Sequence, residues 1–272
     1  MSASVCPVQP RAQGRVVLSS KHSGGRSVLD RLYQSGSLKC LFPKAPGPGM
    51  QAMIVNTAGG VTGGDSFALD ACAAAGTTLT LTTQACERAY RAKSGETGRI
   101  CNRLAIEHGA RINWLPQETI LFRGCAIRRR LCIEMAEDAT LVMAEPLVFG
   151  RAAMGERLTC GNFSDRIELR RNGNLLFLDA MMLEGDIAAR LARAAIADGA
   201  GAMATLLYSA PDAETQLPRI RAALPETAGA SLLRSDVLFL RLLAPDSHAL
   251  RLALVPLLIR LSSSDLPRPW MI

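Results

Sequence analysis

Residues 56–65 read NTAGGVTGGD, two glycine pairs running into an acid. Glycine reaches positive φ without a Cβ penalty, so each pair can turn the chain sharply or admit another backbone. Gly59 and Gly64 have the spacing of a nucleotide-phosphate loop, but Asp65 and Ser66 follow where that loop needs Lys and then Ser or Thr. A carboxylate at the lysine position would repel a nucleotide, which excludes that chemistry; the dinucleotide pattern G-x-G-x-x-G is also absent here. Two readings remain. The stretch is a glycine-rich connection between strands, or a tight loop that presents Asp65 at a surface or channel mouth.

Three other stretches concentrate reactive side chains. Residues 83–91 (TQACERAYR) pack Gln84, Cys86, Glu87, Arg88 and Tyr90 together, yet no histidine stands near Cys86 to act as its base. Residues 115–122 (LPQETILF) set Glu118 between apolar runs, and residues 150–156 (GRAAMGE) bracket Met154 between glycines and charges. Locally, these suit a polar strand end, a strand edge bent by Pro116 and an ordinary loop. The chain has no G-x-S-x-G nucleophile elbow and no H-E-x-x-H. Its 8 cysteines form no C-x-x-C and no zinc-type Cys/His spacing, and His22, His108 and His248 are far apart. A carboxylate pair of the glycosidase kind stays open with nothing positive behind it.

The elements that must carry these residues are mostly strands. Residues 77–83 alternate threonine with apolar residues, the pattern of a strand with one buried face. Residues 100–107 alternate as well, and 15–20, 27–33, 37–42, 50–55, 111–115, 119–122, 126–134, 140–144, 163–171 and 175–178 are further strand candidates. The proline-rich run 43–49 is an exposed loop. Turn residues before strands at 76, 109, 138 and 173 recur at about thirty residues, which suggests stacked hairpins or a two-layer sheet, though too unevenly for a true solenoid. Beyond 185 the alanine-rich segment 187–196 reads as a helix stopped by Gly199. Then come a strand at 202–208, a helix at 213–224 interrupted at Pro218, a strand or pair at 232–243, and a helix at 247–261 kinked at Pro256.

The expected fold is therefore mainly β, with layered, stacked sheets and a few helices in the C-terminal third. Residues 1–14 form a flexible leader. Residues 15–272 form a single domain, with a β body over 15–184 and a smaller α+β portion over 185–272. With 49% hydrophobic residues the chain can bury a large core. The net charge of +7 suits an acidic partner, but a 4% aromatic share leaves little for single-stranded nucleic acid to stack on. No apolar run is long enough to span a bilayer, and no signal peptide is present, so a reduced, cytoplasmic location is expected.

In order and spread, the stretches 56–65, 83–91, 115–122 and 150–156, with 266–270 (LPRPW) at the end, resemble the urease accessory protein UreD family, called UreH in some organisms. The resemblance implies a β-rich, layered, non-enzymatic protein. It implies binding to apo-urease and, through UreF, recruitment of the GTPase UreG for nickel insertion into urease. No cofactor is held tightly; nickel passes transiently, along an internal tunnel. Asp65 and Glu87 are the acids expected to line or guard that path, the competing role being to anchor loops through backbone N–H bonds. Arg88, Arg151 and Trp270 are expected at an interface, because arginine and tryptophan are enriched at hot spots. No nucleic acid or membrane partner is implied. The alternative is a β-rich, carboxylate-dependent hydrolase or a carbohydrate-binding protein.

Overall fold

In a computed structural model, residues 9–44, 46–263 and 265–271 are described. Cys6 and most of the expected leader lie outside them. The strands, in chain order, begin with β1 (Gln13–Ser23), β2 (Arg26–Gly36), β3 (Leu38–Leu41), β4 (Met50–Asn56), β5 (Ser66–Ala73) and β6 (Thr78–Thr83). Next come β7 (Glu87–Ala89), β8 (Gly98–Ile106), β9 (Arg111–Leu115), β10 (Thr119–Leu121), β11 (Ala126–Met135) and β12 (Thr140–Phe149). The last are β13 (Gly161–Arg171), β14 (Asn174–Gly185), β15 (Ala202–Ser209), β16 (Ala228–Arg234) and β17 (Val237–Ala244). The helices are α1 (Ile187–Leu191), α2 (Ala213–Ala223) and α3 (Ser247–Ser262).

Two sheets face each other. Sheet I has the order β14-β13-β11-β8-β5-β1-β2; sheet II has β16-β17-β15-β12-β9-β6-β4-β3, with β7 and β10 attached beside β12. From β4 to β13 the main strands alternate between the sheets. β4, β6, β9 and β12 run parallel in sheet II, and β5, β8, β11 and β13 run parallel in sheet I. The result is a solenoid-like stack. The rhythm of about thirty residues is one circuit of it. Its turns pile directly on one another: Gly76 N–H donates to His108 O at 2.9 Å, Arg111 N–H to Thr77 O at 2.8 Å, and Thr140 N–H to Ala110 O at 2.9 Å. The spacing is uneven because the connections on the opposite edge differ in length.

Alternation along each strand decides what lies between the sheets. Ile127, Leu131 and Ile133 of β11 point inward against Leu79, Leu81 and Ile112 of sheet II, all in one core. Full burial of such a side chain contributes about 1.5–3 kcal/mol. A second core lies on the far side of sheet II, where α2 and α3 cover β12, β15, β16 and β17. Sheet II therefore runs unbroken from the β body into the C-terminal portion.

Several elements differ from the sequence reading. Strand β5 was not expected; its inward side chains are Phe67, Leu69, Ala71 and Ala73, half of them too small to signal a buried face. Helix α1 stops at Leu191, although alanine continues. Only Ile187 and Leu191 are buried there, and propensity without an apolar row does not sustain a helix. Pro218 and Pro256 sit inside helices that continue on both sides. The 232–243 segment, read as a strand or pair, is a pair, the hairpin of β16 and β17. Strand β1 begins inside the expected leader, and Ala12 N–H is bonded to Asp65.

Candidate functional site

One edge of the stack carries the tight turns at 74–77, 107–110 and 136–139. The other carries long connections at 57–65, 84–97, 116–125 and 150–160, and the four internal stretches singled out in the sequence fall there. These connections are knitted into a ladder. β7 pairs parallel with β10, and β10 with β12. Val61 N–H donates to Arg88 O at 2.8 Å, Phe122 N–H to Ala89 O at 3.0 Å, and Gly150 N–H to Leu121 O at 2.9 Å.

Side chains repeat the stacking, one from each connection. Gly60 lies against the Tyr90 ring; a Cβ there would come within 2.3 Å of the ring and 2.6 Å of Arg88 O. Tyr90 meets Phe122 edge-on, with centroids 5.2 Å apart and planes at 89°. The Arg151 guanidinium sits 4.3 Å from the Phe122 centroid and pairs with Glu156 at 2.6 Å. Glu156 also accepts a bond from Arg123 N–H at 3.2 Å. Gly60 thus serves close approach and Gly59 the turn at φ +78°, and the aromatic and arginine residues set the spacing of the rungs.

The two expected path carboxylates are placed differently. Asp65 is 5% exposed. Its Oδ1 accepts from Ala12 N–H and its Oδ2 from Thr62 N–H, both at 2.8 Å, so it ties the glycine loop to the start of sheet I. Glu87 stands at the start of β7, and Asn56 Nδ2 donates to both its oxygens at 3.2 and 3.1 Å. Burial pushes the Glu87 carboxyl up, the Asn56 bond pulls the other way, and the Asp65 charge adds to the rise.

Glu87 lines two hollows. A pocket of about 310 Å³ beside the long connections is lined by Asn56, Gly60, Gln84, Cys86 and Arg88, among others. A second hollow of about 70 Å³ between the sheets is lined by Trp114, Gln117, Thr119, Arg129 and Glu145, among others. Leu38, Ile54, Thr83 and Glu87 belong to both walls.

A buried ionic group, unforeseen from sequence, borders the second hollow. Arg129 Nε and Nη2 donate to Asp165 at 3.0 and 2.6 Å, and Nη1 reaches Glu145 at 2.6 Å and Thr119 Oγ1 at 3.2 Å. Glu145 also accepts from Trp114 Nε1 at 2.6 Å. Burial pushes the Glu145 carboxyl up and Arg129 pulls it back. Burial alone would lower Arg129, but Asp165 and Glu145 outweigh it and hold the guanidinium charged. The signal was present: Arg129 and Asp165 each occupy an inward position in an alternating strand.

Arg88 and Arg151 are exposed on the long-connection edge. Trp270 is not there. It is 2% exposed in the core beneath α3, where its Nε1 donates to Leu115 O at 2.9 Å. Arg251 lies 5.0 Å from its ring and also reaches Gln117 Oε1 at 3.0 Å and Glu118 at 3.3 Å. The closing stretch is thereby clamped to residues 115–118. Among the described residues no three His, Cys, Asp or Glu side chains are grouped to hold a metal ion. Burial pushes the Cys40 thiol up to about 12 and the Cys125 thiol up to about 11, which leaves both unreactive. No described helix is long and apolar enough to cross a membrane.

A profile of the UreD urease accessory protein family matches residues 12–271. The chain belongs to that family. A urease accessory protein UreD from Ruegeria pomeroyi is 56% identical over 255 residues, covering 94% of this chain and 99% of its own length. One from Roseobacter denitrificans is 49% identical over 262 residues, covering 96% of each chain. One from Brucella suis is 43% identical over 270 residues, covering 98% of this chain and 96% of its own. The UreD match takes in both sheets, the covering helices and the long-connection edge, so the whole stack is the family's unit. A role in urease maturation follows.

Proposed function

We propose that this chain is a scaffold that binds the urease apoprotein and, through UreF, recruits the GTPase UreG, so that nickel reaches the urease active site. It works in the cytoplasm, and it makes and breaks no covalent bond itself. GTP hydrolysis belongs to UreG; the carboxylate that replaces the phosphate-loop lysine here is consistent with that division. Nickel passes as cargo.

The observation that carries this reading is the shared wall at Glu87. A pocket beside the long connections and a cavity between the sheets share that wall, and a half-buried carboxylate, held by the Asn56 amide and the Arg88 N–H, lines both. Nickel(II) accepts carboxylate oxygens, and an ion in transit must be held weakly enough to leave. Glu87 takes the ion at this point. Asp65 guards the path by fixing the glycine loop that forms its rim. Of the interface candidates, Arg88 offers an exposed guanidinium beside the pocket, Arg151 offers one farther along the same edge, and Trp270 acts by holding the closing segment. At least one of the three contacts UreF or urease.

Glu87→Ala and Asp65→Ala, assayed for urease activation in cells beside complex assembly, test the path. The expected result is lost activation with assembly intact for Glu87→Ala. Unchanged activation with normal assembly removes the path role. Single alanine variants of Arg88, Arg151 and Trp270 in a pull-down test the interface, and full retention by all three counts against it.

A further inference from the structure

We infer that the outer face of sheet I, where β8, β11 and β13 begin, docks an acidic protein surface. The side chains pointing away from the core on these strands are fixed by register. Arg128 stands opposite Arg99 on one side, and Arg130 stands opposite Arg166 on the other. Like charges directly opposite each other on neighbouring strands destabilise a sheet. The fold bears two such pairs side by side.

The available carboxylates do not neutralise them. Glu168 serves three arginines, with Arg166 at 2.6 Å, Arg130 at 2.8 Å and Arg170 at 3.5 Å. Asp70 serves Arg15 at 3.1 Å and Arg103 at 3.2 Å. Arg99 and Arg128, both exposed, have no carboxylate partner among the described residues. On either side of this pair stand only small side chains, Ser164 beside Arg128 and Ser66 beside Arg99 in register, with Ala68 nearby, so both guanidinium groups are accessible. The outer face of sheet II is covered by α2 and α3; the described helices leave this one bare.

Chemistry selects the occupant. Exposed arginine forks match carboxylates in a bidentate way, and arginine is enriched in protein interfaces. The outward side chains of β5, β8, β11 and β13 include no aromatic ring, so bases of a nucleic acid have nothing to stack on. The patch also begins where the long connections end, which makes it continuous with the candidate site. We assign its acidic partner to the urease maturation assembly; that clause rests on the function proposed above.

The test uses the full chain, tagged and co-produced with the urease apoprotein, UreF and UreG. The wild type is expected to retain its partner at ~0.05 M salt and to lose much of it at ~0.5 M, as a screened contact does. Arg128→Glu should weaken retention by about tenfold, and Arg128→Lys should weaken it far less. Arg128→Glu should also melt at the same or a higher temperature, because it places a carboxylate opposite Arg99. Retention of Arg128→Glu at the wild-type level and salt dependence overturns the inference alone. So does weaker retention accompanied by a lower melting temperature, which marks a structural role. Retention abolished by nuclease assigns the face to nucleic acid and also overturns it. Failure of the wild type to co-purify with any of these proteins removes the proposed function and this inference together.

Discussion

Replacing Arg129 with methionine keeps the length of the side chain and removes one cation from the space between the sheets. Arg129, Glu145 and Asp165 are 5%, 4% and 6% exposed, so water cannot replace the lost partner. Breaking a buried pair in this way costs about 3–5 kcal/mol. Against a typical total stability of about 5–15 kcal/mol, that is a large share. At about 2–4 °C per kcal/mol for a chain of this size, the melting temperature should fall by about 10 °C. The penalty has a sign in pH. Burial already raises the Glu145 carboxyl above its unfolded value, and Arg129 opposes the rise. Without the arginine it rises further. The destabilisation is then complete above the raised folded value and shrinks as pH falls towards the ordinary carboxylate range, where Glu145 is neutral in both states.

Urea unfolding at pH ~7 and pH ~5 measures both effects. Arg129→Met should be strongly destabilised at the higher pH and less so at the lower. The triple change Arg129→Met, Glu145→Gln, Asp165→Asn should recover most of the loss, because no charge is left stranded. A loss under about 1 kcal/mol, or one of equal size at both pH values, would refute the account of a cation holding two buried carboxylates.

Three further outcomes are expected. Gly60→Ala drives a Cβ into the Tyr90 ring and the Arg88 carbonyl, and should cost about 1–3 kcal/mol with loss of urease activation; Gly59→Ala has open space and only its φ of +78° to pay for, about 1–2 kcal/mol. Activation equal in the two variants would dismiss the stacked column. Trp270→Ala should cost about 3–5 kcal/mol by thermal melting and release the closing segment to protease, whereas Trp270→Phe should keep the segment docked; a melting temperature unchanged in Trp270→Ala contradicts the clamp. Glu87→Gln should stabilise the chain near neutral pH, where burial opposes the charged form, and give no gain below the ordinary carboxylate range, where Glu87 is protonated folded or unfolded. A gain in urea unfolding that grows on acidification would reverse the assigned sign.

Legibility followed how local each signal is. The threonine strand β6 was readable because threonine alternates with leucine within six residues, although both its faces are buried, Thr80 and Thr82 included, and not one as expected. β12 was read to only half its length, since nearly every residue in it is buried and alternation disappears. β10 was expected at 119–122, whereas β7, also three residues long, exists by pairing with β10 and no local pattern announces it. Asp65 and Glu87 were legible as acids beside glycine and apolar runs. That Asp65 would accept two backbone bonds and Glu87 would line two hollows depends on partners up to 53 residues away. Trp270 was read as an interface residue, but it is buried through a bond to Leu115, 155 residues earlier, which no local pattern announces.

The two edges of the stack join the same strands, yet only one needs long connections. Where turns merely reverse the chain, four residues suffice, and backbone bonds between successive turns hold them. The long connections do more: they wall a pocket, and each takes its shape from the one beside it. Gly60 must be small because Tyr90 lies on it; Tyr90 is positioned by Phe122, and Phe122 is covered by Arg151. A change in any rung therefore shifts the next. Glu87 hangs from this column through Asn56, whose amide also bonds Gly60 O at 3.0 Å. The position of the carboxylate beside the two hollows is set by all four connections together. A substitution in one rung is therefore expected to be offset by a change in its neighbour, a coupling that double-mutant cycles across Gly60, Tyr90, Phe122 and Arg151 would measure.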